Sequence, residues 1–64
     1  MLYKDIIDIA GNTKFRRRVW GDRSFARLVR GQVVLYGEAA RKAVQTKVFL
    51  SFDDTYAEDW ELYA

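Results

Sequence analysis

A chain of 64 residues makes one domain, residues 1–64, and buries only about 60% of the surface that its unfolded form exposes. It contains no cysteine and no histidine, which excludes disulfide staples, thiolate or imidazole zinc sites, imidazole general bases and Ser-His nucleophiles. The formal net charge of +2 hides a split: Lys14, Arg16, Arg17, Arg18, Arg23, Arg27 and Arg30 face only Asp22, whereas residues 53 to 61 are acidic.

Leu2 to Ala10 reads as a short amphipathic helix. Leu2, Ile6, Ile9 and Ala10 share one stripe, with Tyr3 and Ile7 beside it, and Lys4, Asp5 and Asp8 turn outward. Gly11 ends it as a C′ residue, and Asn12-Thr13 form a polar turn. Lys14 to Trp20 then alternates as a strand, with Phe15, Arg17 and Val19 on one side and Lys14, Arg16, Arg18 and Trp20 on the other. Gly21-Asp22 reads as a turn, and Ser24 to Arg30 as a second strand. Gly31-Gln32 has the composition of a two-residue type II′ hairpin, so Val33 to Tyr36 pairs back antiparallel.

Glu38 to Ala43 has helical propensity, but its shortness predicts a loop or a single helical turn. Val44 to Phe52 alternates and predicts a fourth strand. Ser51 and Asp54 fit the Ser-x-x-acid capping pattern for a short acidic turn. Beyond it, Trp60 and Leu62 fall on one face of a last strand, with Glu61 and Tyr63 on the other. The fold class is α+β: one N-terminal helix packed on a small antiparallel meander sheet, closed by the acidic turn and the last strand. No apolar run approaches membrane-spanning length and no signal-peptide core is present, so no membrane partner is expected and the cytoplasm is the default location.

Catalysis finds little to work with. Asp54 and Glu58, four apart with Asp59 beside them, could form a carboxylate pair for acid–base work or Mg²⁺, but a solvated cap fits the same residues and is the commoner arrangement. The calcium-loop spacing and the phosphate-cradling glycine loop are both missing. No enzyme, cofactor or metal is expected. Anion or nucleotide binding fits better. Guanidinium groups fork onto phosphates and stack on bases, and Phe15, Trp20 and Phe25 supply flat faces nearby. Alternation sends Arg16 and Arg18 to the face of Trp20, making Arg16, Arg18, Trp20 and Phe25 the candidate ligand-binding set. A solvated outer strand face would have the same composition. Arg17, flanked by Phe15 and Val19, needs an acceptor for its head. The expected one is Glu58 or Asp59, which makes Arg17 structural and leaves Arg16 and Arg18 free for an anion. The 16% aromatic content exceeds what one small core holds and points to a partner surface, with self-association the simplest case.

At Arg17-x-x-Trp20 and at Tyr56-Ala57-Glu58-Asp59-Trp60-Glu61-Leu62 the chain resembles the phage Thoeris anti-defence proteins of the second type and the wider set of small phage proteins sharing their domain. The matching blocks, with the helix ahead of them, cover about half the chain. The resemblance implies a non-enzymatic sponge. Such proteins assemble as homo-oligomers, commonly tetramers, and sequester cyclic nucleotide signals such as cyclic ADP-ribose isomers in the host cytoplasm. Arg17, Trp20, Asp59 and Trp60 are the positions that the resemblance carries over, as scaffold as much as ligand contacts. Many relatives have a proline-containing insertion that helps to form the ligand pocket, and this chain has no proline. The alternative expectation is a small module that inhibits a host protein or binds single-stranded nucleic acid.

Overall fold

The structure, a computed structural model, describes residues 1–63. Its elements in chain order are α1 (Tyr3–Ala10), β1 (Phe15–Arg17), a 3₁₀ segment (Arg18–Arg23), β2 (Ser24–Val29), β3 (Gln32–Gly37), α2 (Glu38–Thr46), α3 (Phe52–Thr55) and β4 (Trp60–Leu62). The strands form one antiparallel sheet in the order β3-β2-β1-β4. The first three strands run as a meander, and β4 returns beside β1, as the α+β reading requires.

Period-2 alternation gives the sheet two chemically different faces. Phe15, Ala26, Leu35 and Trp60 all point to one side and are buried. Helix α1 lays Ile6 and Ala10, four residues apart, against them. Tyr3, Ile7, Trp20, Ala39, Ala43, Leu50 and Ala57 close the rim of this core. Each large apolar side chain removed from water here contributes about 1.5–3 kcal/mol. The helices therefore share one face of the sheet, and among the described residues the other face carries none.

Three local expectations are corrected. The strand predicted over residues 14–20 stops at Arg17, because the main chain is captured by the turn before β4. Arg18 N–H donates to the Asp59 carbonyl (3.0 Å) and Val19 N–H to Asp59 Oδ2 (3.3 Å). The chain then coils as a 3₁₀ segment and swings Trp20 toward the core. In the hairpin, Val29 pairs with Gln32, so the turn residues are Arg30 (φ 54°) and Gly31 (φ 78°). Two successive positive φ values are the signature of a type I′ turn, one residue earlier than the II′ expectation.

The largest correction is at residues 38–52. Glu38–Thr46 is a nine-residue helix, and no strand follows it before the acidic turn. Ala39 and Ala43 face the core at helical spacing, and Ser24 Oγ accepts the Ala39 N–H (2.9 Å). A β2 hydroxyl thus fills the capping role that the residue before the helix, Gly37, cannot. Gly37 itself has φ 83°, and a Cβ there would collide with the carbonyl oxygen of Arg23. Lys47, left-handed at φ 58°, ends the helix. The alternation of Val44, Val48 and Phe52 has no sheet behind it, and these side chains are exposed. The acidic turn itself is as expected: Ser51 and Asp54 form a reciprocal capping box at the start of α3.

Candidate ligand-binding face

The uncovered side of the sheet presents Lys14, Arg16, Phe25, Arg27, Tyr36 and Tyr63, all with the outward parity of their strands. Phe25 and Tyr36 are directly opposed across β2 and β3. Their rings stack with centroids 4.8 Å apart and planes 12° from parallel. Tyr63 leans toward Phe25 at 6.0 Å and 49°. Lys14 Nζ stands 5.0 Å from the Phe25 centroid and 5.1 Å from that of Tyr63, a distance at which ring quadrupoles attract a cation. A shallow cavity of about 470 Å³ opens here, lined by Asn12, Thr13, Lys14, Phe25, Arg27, Tyr36 and Tyr63. Its lining holds two cations and no carboxylate. Among the described residues neither Lys14 nor Arg27 has an ion pair within 4 Å.

Arg16 belongs to the same face but is engaged. Its Nη1 donates to the Gly21 carbonyl (2.8 Å) and to Asp22 Oδ1 (3.1 Å), and its Nε to Glu61 Oε1 (3.3 Å). The guanidinium also lies 4.2 Å over the Tyr63 ring. The Tyr63 hydroxyl donates to Asp22 Oδ1 (3.0 Å). This hydrogen bond, with burial and the nearby Asp22 charge, raises the Tyr63 phenol above its ordinary range, against the opposing pull of Arg16.

Arg18 and Trp20 do not join this platform. Arg18 is 78% exposed at the end of β1, 3.8 Å from Glu61. It lines a separate cleft that contains Asp53, Glu58 and Asp59, where an anion would meet three carboxylates. Trp20 packs edge-on against Trp60 (5.2 Å, 79°), because the 3₁₀ segment breaks the alternation that would have put it outside. Of the expected ligand-binding set, Arg16 and Phe25 lie on the open face. Sequence reasoning missed Lys14, Arg27, Tyr36 and Tyr63. The signal was the hairpin register, since the type I′ turn, placed one residue earlier, sets Tyr36 opposite Phe25.

The residues of the two motifs meet on the other side of the sheet. Arg17 Nε donates to Asp59 Oδ1 and Arg17 Nη1 to Asp54 Oδ1, each at 2.8 Å. Asp59 was the expected acceptor; Glu58 is not used, and Asp54 was not foreseen. The three side chains are only 19%, 21% and 29% exposed for Arg17, Asp54 and Asp59. Burial opposes the charge on Asp59, but hydrogen bonds from Arg17 and from Val19 N–H outweigh it and hold its carboxyl below the usual range. Burial likewise opposes the charge on Arg17, and the bonds to Asp59 and Asp54 reverse that and raise it. Trp60 Nε1 donates to the Asp54 carbonyl (2.8 Å), and its ring lies 5.1 Å from Tyr3 and 6.0 Å from Phe15. Arg17, Asp59 and Trp60 therefore bind the first strand, the acidic turn and the last strand into one unit.

No group of three acidic residues among the described ones could hold a metal ion, and no described helix is long and apolar enough to cross a membrane. No protein-family model matches the chain, nor does any curated protein or solved structure.

Proposed function

We propose that the protein binds and sequesters a small anionic ligand carrying an aromatic ring, a nucleotide signal, on the open face of its sheet and without catalysis. The observation that carries this reading is the Phe25–Tyr36–Tyr63 cluster with Lys14 and Arg27 beside it. Aromatic rings accept a base by stacking, and unpaired cations accept phosphate. The cavity volume falls in the range of small-ligand sites, about 300–1,000 Å³. The resemblance of Arg17-x-x-Trp20 and Ala57-Glu58-Asp59-Trp60 to the phage anti-defence sponges supports the same reading. It adds the bacterial host cytoplasm as the setting and a homo-oligomer, up to a tetramer, as the working form.

A second reading follows from the shape of the platform. Four-stranded sheets that present aromatic side chains on an uncovered face also stack the bases of single strands. Calorimetry with cyclic and linear mono- and dinucleotides, and with single-stranded oligonucleotides, at two salt concentrations separates the two. A sponge gives saturable binding of the small nucleotides with a shallow salt dependence. Lys14→Ala and Arg27→Ala then each weaken binding by about tenfold, the order lost with one charged hydrogen bond. Oligonucleotide binding that falls steeply with salt, with no response to small nucleotides, establishes the second reading instead. Silence toward both ligand classes removes both.

A further inference from the structure

The two edges of the sheet are finished differently. On β4 the N–H groups of Trp60 and Leu62 point away from β1, and that of Trp60 donates to the Met1 carbonyl (3.1 Å). That edge is short and partly capped. On β3 the register to β2 runs unbroken from Gln32 to Gly37. Gln32, Val34 and Tyr36 exchange hydrogen bonds with β2 in this alternating ladder, so Val33 and Leu35 present their N–H and C=O groups outward. Among the described residues no element pairs with this edge. It contains no proline, no charged residue and no bulge, the devices by which exposed edges ordinarily discourage pairing.

The geometry points to antiparallel pairing of β3 with β3 of a second copy of this chain, centred on Val34. It takes the self-association of the proposed function a step further by naming its surface, and it is measured without any ligand. A register centred on Val34 pairs Val33 with Leu35 of the second copy and Leu35 with its Val33. All the outward N–H and C=O groups of both residues are thereby satisfied. Val34 meets its own counterpart across a non-hydrogen-bonded position, where side chains approach closely. Carried outward, the same register sets Gln32 against Tyr36 and Gly31 against Gly37, and brings the turn residue Arg30 within side-chain reach of Glu38 at the start of α2. Arg30 has no ion pair among the described residues, and Glu38 has only a 4.0 Å approach from Arg23. Two Arg30–Glu38 contacts related by the two-fold axis thus close the ends of the joined edge. That charge complementarity favours a second copy over an unrelated strand.

Pairing of this kind places the two-fold axis perpendicular to the sheet, so like faces remain together. The two α2 helices come to lie on one side, where Val44, 80% exposed in the single chain, supplies apolar surface between them. The two aromatic faces become contiguous on the other side, in one eight-stranded sheet.

Sedimentation equilibrium across micromolar concentrations, without ligand, tests this. The wild-type chain is expected to be a dimer or an even-numbered oligomer. Val34→Lys sets two ammonium groups face to face at the axis and is expected to give a monomer with an unchanged circular dichroism spectrum. Arg30→Glu and Glu38→Arg each create two like-charge contacts and raise the dimer dissociation constant by about tenfold. The double variant, with both charges exchanged, returns it to near the wild-type value. A monomeric wild-type chain overturns the proposal. So does an oligomer that Val34→Lys leaves intact, or a charge exchange that fails to restore association. Failure of nucleotide binding in a protein that still dimerises counts against the ligand reading alone.

Discussion

The two faces of this sheet are built from the same materials and end in opposite states. On the helix side, Tyr3, Phe15 and Trp20 cluster about Trp60, and Arg17, paired with Trp60 in the strand register, is held by two carboxylates. On the open side, Phe25, Tyr36 and Tyr63 cluster about Lys14 and Arg16. Arg16 and Arg17 are neighbours in β1 and belong to different faces. What separates the clusters is cover, not composition. Where α1 and the acidic turn close over the rings, the guanidinium must be neutralised within the molecule and becomes scaffold. Where no described element closes over them, Lys14 and Arg27 have no ion pair among the described residues and stay available to a ligand.

The comparison breaks first at Trp60. Trp60→Ala removes the largest fully buried side chain and is expected to cost about 3–5 kcal/mol, which leaves a domain of this size largely unfolded. Tyr36→Ala on the open face is expected to cost about 1 kcal/mol, the order of one aromatic stack. Urea denaturation compares the two. Equal losses would mean that the open face is part of the core.

Arg17→Ala comes next. It strands Asp54 and Asp59 at a partly buried site and should cost about 2–4 kcal/mol. The same network sets an acid limit. Because the Asp59 carboxyl is lowered in the folded protein, its contribution is full above the ordinary aspartate value of about 3.9. It is lost as the pH falls below that value through the lowered one. Melting temperatures of the wild type should therefore drop through this acid window, and Asp59→Asn should flatten the profile. Arg16→Ala is expected to cost only about 1 kcal/mol, because its partner Asp22 is exposed and the Tyr63 contact is weak. A larger loss at Arg16 than at Arg17 would reverse the assignment of the two faces.

The smallest effect is a gain. Lys47 holds a left-handed conformation at the end of α2, so Lys47→Gly should stabilise by about 0.5–1 kcal/mol. It lies on neither aromatic cluster, and nucleotide binding should be unchanged within error.

Much of the core face was legible in the sequence. The stripe of α1, the Ser51–Asp54 cap and the bond from Arg17 to the acidic turn all follow from short-range periodicity and charge balance, whereas Phe15, read as a flat face for a ligand, is buried in the core. The open face was half legible. Phe25 and Arg16 came from alternation, but Tyr36 and Tyr63 reach them only through strand pairing: a turn one residue later sets Tyr36 opposite Arg27 instead of Phe25, and Tyr63 is brought to this face only by the pairing of β4 with β1. Trp20 was misplaced because the main-chain carbonyl and the carboxylate of Asp59 accept the Arg18 and Val19 N–H groups and end β1 early, and alternation carries no information about them. Helix α2 was underestimated for a related reason. Its first turn is capped by Ser24 from a different strand, and Val44 to Phe52 mimics a strand although it pairs with no strand of the sheet.

The pairing of β1 with β4 also fixes an order of events in time. The β2–β3 hairpin closes over a two-residue turn, whereas Arg16 and Glu61 lie 45 residues apart, and the entropy of closing so long a loop falls on the last step. Trp20 and Trp60 meet only when β4 docks. Indole fluorescence in a stopped-flow refolding record therefore follows the arrival of the final strand, while far-ultraviolet circular dichroism reports the hairpin and helices that wait for it. A lag between the two signals would time the moment at which the acidic turn captures Arg17.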